Sequence, residues 1–206
     1  MKSKILITTV MLCFASMVSM AEDLSVFSVK VADKSSFVLQ LTNIKQAQIQ
    51  VTLKDEKGAT LYNETLMQAS LDQKKYDIGK LSSGNYTLVV AYDAVIKVQP
   101  IKKGKVLEIE AEDLQTIFQP CIRQHSQYLD LDMLCLSDLK ISLKITDVDG
   151  NVIYKELVQP KGSLQRRFNF STLEYGLYSF TLIIEDPVLY KEFSETIVLS
   201  PVIAGL

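Results

Sequence analysis

Histidine, tryptophan and clustered basic residues are scarce in this sequence. It has no tryptophan and one histidine, His125, in 206 residues. A metal site or a nucleophile–base pair needs partner residues at a suitable spacing, and none is identifiable around His125. Acidic residues outnumber basic ones by 24 to 22 without a basic cluster, so the electrostatic footprint of a nucleic-acid or anionic-lipid binder is missing. We therefore predict no catalytic site and no cofactor.

Long apolar runs are also missing, with one exception at the amino end. Two lysines precede a mostly apolar segment at 5–18, and the small residues Ser19 and Ala21 stand where a signal peptidase reads. The run is shorter than the roughly 20 residues of a membrane span. We predict a signal peptide at 1–21, cleaved before Glu22, rather than a transmembrane anchor. Cleavage would change the net charge from −2 to −4 and leave an exported protein without a membrane span.

Cysteine is scarce as well, because only Cys121 and Cys135 remain once 1–21 is removed. Two cysteines in an oxidising compartment invite a disulfide. Both fall on predicted neighbouring strands, and a hairpin turning near Gln127–Tyr128 would let the two sulfurs meet. The alternative is one or two buried thiols, since free cysteine packs like a small hydrophobe. We keep Cys121–Cys135 as a disulfide candidate with that alternative open.

What the sequence does contain is an internal duplication. The segment 51–93 aligns without a gap on 143–185, at an offset of 92 residues. The identical pairs are Asp55/Asp147, Gly58/Gly150, Tyr62/Tyr154, Glu64/Glu156, Gln73/Gln165, Leu81/Leu173, Gly84/Gly176 and Tyr86/Tyr178. An ungapped match of this length indicates that one unit was duplicated.

Each copy has the hydrophobic period of half-buried β-strands. Apolar residues alternate with polar ones at Phe37, Leu39 and Leu41, and the pattern returns at Leu129 and Leu131. No stretch after residue 21 keeps a helical period. The chain is therefore predicted to be all-β.

A repeated corner joins two of the predicted strands in each copy. Its residues are Leu81, Gly84 and Tyr86 in the first copy and Leu173, Gly176 and Tyr178 in the second. The tyrosine stands where sandwich domains place a corner tyrosine, with its ring in the core and its hydroxyl tied to nearby backbone. We expect each glycine to relieve a positive φ.

These signals predict two tandem β-sandwich domains of the immunoglobulin or fibronectin type III type. Seven or so short strands, separated by turn signals every 8–12 residues, are typical of such a sandwich. We place the first domain at 22–112 and the second at 113–206. The segment between them contains no Gly/Ser-rich or Pro-rich linker, so a close end-to-end junction is expected.

The repeated pattern resembles a known group of secreted domains. Asp and Gly of a tight turn are followed by an aromatic residue and by the Leu-x-x-Gly-x-Tyr corner. This arrangement is similar to the small β-sandwich domains of Bacteroidota, including the C-terminal sorting domains of type IX secretion and a related family of unknown function. The carriers are Asp55, Gly58, Tyr76, Leu81, Gly84 and Tyr86, with Asp147, Gly150, Phe168, Leu173, Gly176 and Tyr178. A sorting domain is normally single and follows a large cargo, whereas this sequence has two copies.

One turn resembles the start of a calcium loop. Asp147, Asp149 and Asn151 surround a glycine, and Glu156 stands near the spacing of a further acidic ligand. The intervening residues have a strand pattern, and Asp and Gly are already explained by a hairpin turn. We favour the turn and keep these four residues as a weak calcium candidate.

Two further groups of charged residues have competing interpretations. Asp130 and Asp132 could do acid–base work with His125, but their alternation with leucines places them on the solvent face of a strand. The basic pairs Lys74-Lys75 and Arg166-Arg167 could bind a carboxylate or a sugar acid. We favour the protection of a strand edge, which is a common use of lysine.

The sequence thus predicts an exported, non-catalytic binding or structural protein of the cell envelope. Its expected partner is an envelope protein or a surface polymer, and it would lie in the periplasm, at the cell surface or outside the cell. The first alternative is a sorting or anchoring module of the type IX kind, which the resemblance implies. The second is a hydrolase acting through His125 or Asp130.

Overall fold

The structure is a computed structural model that describes residues 26–42, 48–67, 73–186 and 188–200. The predicted signal peptide at 1–21 lies outside the described residues. Apart from a 3-10 turn at Ala111–Asp113, every regular element in these ranges is a β-strand. The all-β prediction is therefore confirmed.

The first half of the chain forms seven strands in two facing sheets. They are β1 (Val26–Val31), β2 (Ser36–Thr42), β3 (Gln48–Asp55), β4 (Thr60–Met67), β5 (Gln73–Asp77), β6 (Gly84–Tyr92) and β7 (Val95–Lys103). One sheet has the order β1-β2-β5 and the other begins β4-β3-β6-β7, with all neighbours antiparallel. The predicted alternation of apolar residues puts Phe37, Leu39, Val51 and Leu88 between the sheets, where each is at most 1% exposed.

The second half repeats this arrangement strand for strand. Its elements are β10 (Cys121–His125), β11 (Tyr128–Cys135), β12 (Ile141–Thr146), β13 (Val152–Val158), β14 (Gly162–Asn169), β15 (Gly176–Ile184) and β16 (Lys191–Leu199). The sheets have the orders β10-β11-β14 and β13-β12-β15-β16. Both copies are thus sandwiches of three strands on four, in which the fourth strand pairs with the third. This is the connectivity of fibronectin type III domains, and the predicted fold class is confirmed.

Turn chemistry is the same in the two copies. The carboxylate of Asp55 accepts hydrogen bonds from the backbone N–H groups of Lys57 and Ala59, at 2.9 and 2.8 Å. Asp147 accepts equivalent bonds from Asp149 and Asn151, at 3.0 and 2.8 Å. Gly58 and Gly150 each have a φ of 82°, which is the left-handed region that a side chain disfavours. These aspartates and glycines therefore build the β3–β4 and β12–β13 turns.

The corner tyrosines are tied to backbone in both copies. The hydroxyl of Tyr86 donates to the carbonyl oxygen of Ser82 at 2.7 Å, and that of Tyr178 donates to Glu174 at 3.0 Å. The expectation of a positive φ at Gly84 and Gly176 is wrong, because neither has one. A Cβ atom built on either glycine would meet nothing within 4 Å. Each glycine instead stands at the first position of a strand, β6 or β15, in a conformation open to other residues.

The segment between the sandwiches adds two short strands to the first sheet. They are β8 (Leu107–Glu108) and β9 (Gln115–Phe118), and both pair with β7. The predicted boundary at 112/113 stays a prediction, since β9 lies beyond it in the chain and is hydrogen-bonded to the first sheet. Ile117 of β9 is 2% exposed and belongs to the apolar cluster that forms the core of the second sandwich.

That second core extends onto the outer face of the first sandwich. Ile96 and Val98 of β7 belong to it, and Val89 and Ala91 of β6 pack against it. Strand register puts these four side chains on one face, because Val89 is opposite Val98 and Ala91 is opposite Ile96. Leu189, in the β15–β16 loop, is 5% exposed within the same cluster.

A polar contact accompanies this apolar one. The ammonium of Lys54 donates to the carbonyl oxygen of Val188 at 2.9 Å, which links β3 to the β15–β16 loop. The two sandwiches therefore meet through the outer face of the four-stranded sheet of the first sandwich, where apolar side chains are shared.

Candidate functional site

A charged cluster bridges the two sheets at one edge of the first sandwich. Glu64 of β4 accepts a hydrogen bond from the Lys74 ammonium at 2.5 Å and another from the Tyr76 hydroxyl at 2.6 Å. Strand β4 belongs to one sheet and β5, which carries Lys74 and Tyr76, belongs to the other. These contacts therefore fasten the sheets together along the side where β4 and β5 are edge strands.

The pKa values of this cluster follow from its contacts. Burial acts to raise the pKa of Glu64, but hydrogen bonds from Lys74, Tyr76 and Tyr62 outweigh it and hold the pKa below its ordinary value. Burial and the bond to Glu64 raise the pKa of Tyr76 far above its usual range. Glu64 is thus an ionised acceptor, and Tyr76 is a donor that keeps its proton.

The second sandwich keeps the glutamate and changes its partners. Glu156 of β13 accepts hydrogen bonds from the Tyr154 hydroxyl at 2.5 Å and from Arg166 at 3.3 Å. These bonds hold the pKa of Glu156 below its ordinary value. Phe168 stands at the position of Tyr76 and has no hydroxyl to offer. The repeated glutamate and basic residue thus form one sheet-bridging ion pair in each copy, which we call the edge latch (Glu64 with Lys74, and Glu156 with Arg166).

The other member of each basic pair also has an acidic partner. Lys75 lies 2.8 Å from Asp33, and Arg167 binds both oxygens of Asp130 at 2.6 and 2.7 Å. Sequence reasoning found these basic residues but missed their partners, because the partners come from distant strands. The identical pair Glu64/Glu156 was the available signal, since a duplicated glutamate beside a duplicated basic residue suggests a duplicated ion pair.

A groove of about 540 Å³ opens beside the edge latch of the first sandwich. Its floor is made of core side chains, among them Val51, Leu53 and Leu88. Leu61 and Tyr62 of β4, which are 44% and 42% exposed, flank the opening. Three lysines and one aspartate line the rim: Lys74, Lys75, Lys80 and Asp77. The groove is therefore apolar inside and richer in positive than in negative residues at its edge.

The second sandwich fills the equivalent space with rings. Phe180 and Phe170 stand at the positions of Leu88 and Ile78, and they are 0% and 3% exposed. Phe168 packs on Phe180 with 5.5 Å between ring centroids. One exchange runs the other way, since Phe37 of the first copy corresponds to Leu129. The first sandwich has one ring fewer at these positions, and this is where its groove lies.

The calcium candidates do not come together as a metal site. Asp147 uses its carboxylate in the β12–β13 turn, including a bond from the side-chain amide of Asn151 at 2.9 Å. Glu156 lies in β13 and is held by Tyr154 and Arg166. Within the described ranges, no group of three His, Cys, Asp or Glu residues is placed to hold a metal ion. The structure favours the hairpin-turn interpretation.

The disulfide expectation is corrected. Both cysteines are free thiols, with Cys121 exposed and Cys135 buried. The predicted hairpin of β10 and β11 does form, but its register pairs Cys121 with Asp132. Cys135 lies on the core face with Leu131 and Met133, whereas Cys121 lies on the solvent face. Burial raises the pKa of the Cys135 thiol, consistent with an inert packed side chain.

The carboxylates near His125 are engaged in ion pairs. Hydrogen bonding from Arg167 lowers the pKa of Asp130, and His125 lies 3.4 Å from the same carboxylate. Asp132 pairs with Arg123 at 2.9 Å. An aspartate held ionised by arginine is a poor proton donor, so this surface has the chemistry of a charge network.

Comparison with protein families matches the second sandwich. Residues 126–193, about a third of the chain, match the family of secretion system C-terminal sorting domains. The second sandwich is similar to these sorting domains. The predicted resemblance is confirmed for those residues, which begin in the β10–β11 turn and end in β16.

Three solved structures are similar in overall chain path. A tetra-tandem repeat from the extending region of a large adhesion protein is 13% identical, with a TM-score of 0.32, 86% of this chain covered and 50% of the other. A two-domain fibronectin type III segment of chicken tenascin is 10% identical, with a TM-score of 0.30 and coverages of 84% and 97%. Latent PorU from Porphyromonas gingivalis is 8% identical, with a TM-score of 0.32 and coverages of 84% and 20%.

The chain thus spans half the length of the adhesion segment and a fifth of PorU. The comparison with curated proteins found no match. In the part of the chain that the structure describes, no helix has the length and apolar character to cross a membrane.

Proposed function

We propose that this protein is an exported, non-catalytic component of the cell envelope, in which two fused β-sandwiches bind or scaffold a partner. The partner is another envelope protein or a surface polymer. The observation that carries the export step is the match of residues 126–193 to secretion sorting domains. The predicted signal peptide at 1–21 supports the same route.

The junction between the sandwiches supports the scaffold role. Ile96, Val98 and Ile117 are 1%, 7% and 2% exposed, and all belong to the core cluster of the second sandwich. Separating the halves would expose these side chains to water at about 25 cal/mol per Å² of apolar surface. A pair joined in this way holds its edges and loops in a fixed relation, which suits a protein that presents surfaces to a partner.

The second candidate function is a sorting or anchoring module, and the family match favours it. In that case the second sandwich directs the first across the outer membrane and is then removed. The shared core argues against removal, because a first sandwich left alone would present Val89, Ala91, Ile96 and Val98 as an uncovered apolar face.

The test is the location of the native protein in its own host, with and without the type IX translocon. The proposal expects the protein at the cell surface or in the medium of the intact host, and its retention in the periplasm when the translocon is deleted. Fractionation followed by immunoblotting measures this. Retention of the protein in the cytoplasm of both strains would overturn the proposal.

A further inference from the structure

The groove of the first sandwich has no counterpart in the proposed export step, and its chemistry specifies a ligand. Its floor is aliphatic and aromatic, with Val51, Leu53 and Leu88 at 0%, 5% and 1% exposure. At about 540 Å³ it is within the range of about 300–1,000 Å³ that small-molecule sites occupy. A molecule seated there would bury an apolar body against these side chains.

The rim adds a requirement for negative charge. Lys74 is committed to Glu64 and Lys75 is paired with Asp33, but Lys80 makes no ion pair among the described residues. The only acid in the lining, Asp77, directs its carboxylate to the Gly79 N–H at 2.8 Å and to the Ser35 hydroxyl at 3.3 Å. The unpartnered charge at the opening is therefore a cation.

The duplication provides an internal comparison for this site. The second sandwich has Phe170 and Phe180 at the positions of Ile78 and Leu88, and Thr172 at the position of Lys80. The ring that closes the core and the loss of the rim lysine thus occur together in the second copy. In the first copy, open volume and free positive charge occur together, which is the combination that a ligand of matching chemistry needs.

We propose that this groove binds an apolar anion, a molecule with an acyl or aryl body and one negative group. The body lies on the floor formed by Val51, Leu53 and Leu88, and the negative group lies against the ammonium of Lys80. This ligand class deepens the binding role proposed above, although the groove can be tested in purified protein without reference to export. A free fatty acid and the acyl chain of an anionic membrane lipid both offer this chemistry.

The experiment compares two fluorescent probes that share their rings and differ in charge. They are 1-anilinonaphthalene-8-sulfonate, which carries a sulfonate, and N-phenyl-1-naphthylamine, which is neutral. Both are titrated into the full-length mature protein. Leu88→Phe, which copies Phe180, is expected to weaken both probes by about tenfold or more because the ring occupies the groove. Ile78→Phe, which copies Phe170, is the replacement if Leu88→Phe fails to fold.

Charge is tested separately from volume. Lys80→Glu is expected to weaken the sulfonate probe by about fivefold and to leave the neutral probe unchanged, as fits the loss of a partly solvated ion pair. Lys161→Glu makes the same change of charge on an exposed residue of the second sandwich and is expected to affect neither probe. Circular dichroism and urea unfolding confirm that each variant is folded.

The source of the ligand is resolved by competition. Displacement of the sulfonate probe by free dodecanoate alone identifies a soluble fatty acid as the ligand type. Displacement by phosphatidylglycerol vesicles, with co-sedimentation of the protein, identifies a membrane lipid. Sulfonate-probe binding that survives both ring variants, or that responds equally to Lys80→Glu and Lys161→Glu, would overturn the groove proposal while leaving the export proposal untouched.

Discussion

At the residue scale, the corner glycines and the turn glycines of this fold have different roles. Gly58 and Gly150 have positive φ and close the aspartate turns. Gly84 and Gly176 have ordinary strand conformations and open space where a side chain would lie. Their presence in both copies therefore does not reflect a backbone requirement at those two positions.

This difference predicts opposite results for two alanine substitutions. Gly84→Ala should leave the free energy of unfolding unchanged or raise it by up to about 1 kcal/mol, because alanine reduces the entropy of the unfolded chain. Gly58→Ala should lower it by about 1 kcal/mol, since alanine would be forced into the left-handed region. Urea unfolding followed by tyrosine fluorescence measures both. A loss in Gly84→Ala as large as that in Gly58→Ala would contradict the assignment.

The positions of the cysteines follow from strand alternation in the sequence. Cys135 shares the parity of Leu129, Leu131 and Met133, which form the core face of β11. Cys121 has the parity of Arg123 and His125, which are exposed. Taken together, the two parities predict sulfurs on opposite faces of this sheet, which is the arrangement that excludes a disulfide between them.

At the element scale, the edge latch stabilises the contact between the two sheets at the exposed edge of each sandwich. The pKa of Glu64 lies below its ordinary value in the folded protein, so its ionised form favours folding. That contribution is present above the unfolded-state pKa and is lost as the pH falls through the folded-state pKa. The acid side of the stability profile should therefore contain a contribution from the latch.

Glu64→Gln should remove this contribution. The variant is expected to be less stable than the parent at pH 7, and its stability should fall less steeply as the pH drops below the ordinary glutamate value of 4.5. Urea unfolding between pH 7 and pH 3 measures the two slopes. Glu195→Gln, on an exposed position of β16, serves as the matched control. An unchanged acid slope in Glu64→Gln would show that the latch is not coupled to folding.

The interface between the sandwiches depends on strands that are apolar on both faces. In β6 the run Leu88-Val89-Val90-Ala91 alternates between the inner core and the outer face, and both sides are covered. A continuous apolar run is typical of a strand buried on both faces, so this signal was available in the sequence. The partner of the outer face was not, because Ile117 and Leu189 come from distant parts of the chain.

The second sandwich lacks this outer apolar set. Register places Thr181 and Ile183 of β15 at the positions of Val89 and Ala91, and Ser194 and Glu192 of β16 opposite them. The two copies therefore share a fold and a core but differ in the surface that covers a neighbour. Among the described residues, the apolar outer face belongs to the first sandwich.

Ile117→Ala tests the interface. The side chain is 2% exposed, and its truncation should cost about 2–4 kcal/mol of unfolding free energy. Val106→Ala, at a position that is 47% exposed on the same connecting segment, should change stability by less than about 0.5 kcal/mol. Urea unfolding of both variants gives the comparison. Equal effects would mean that Ile117 does not hold the sandwiches together.

At the scale of the whole molecule, the sequence carries more information about each sandwich than about their combination. Strand alternation, the aspartate turns and the 92-residue offset predicted two copies of one fold, because these signals are local or repeated. The edge latch, the shared core and the groove depend on contacts between distant strands. Their residues were visible in the sequence, but their partners were set by strand order and register.

The shared core leads to one expectation for the exported form. Since the second sandwich covers the outer face of the first, the two should leave the cell as one covalent unit. The predicted mature species begins at Glu22 and contains β1 to β16.

The intact mass of the native protein, taken separately from periplasm, cell surface and medium, tests this expectation most directly. The account predicts one exported species that contains both sandwiches, with the mass of free thiols at Cys121 and Cys135. A surface or medium species that ends before β10 would contradict it. That result would make the second sandwich a removable sorting signal and the first sandwich the delivered product.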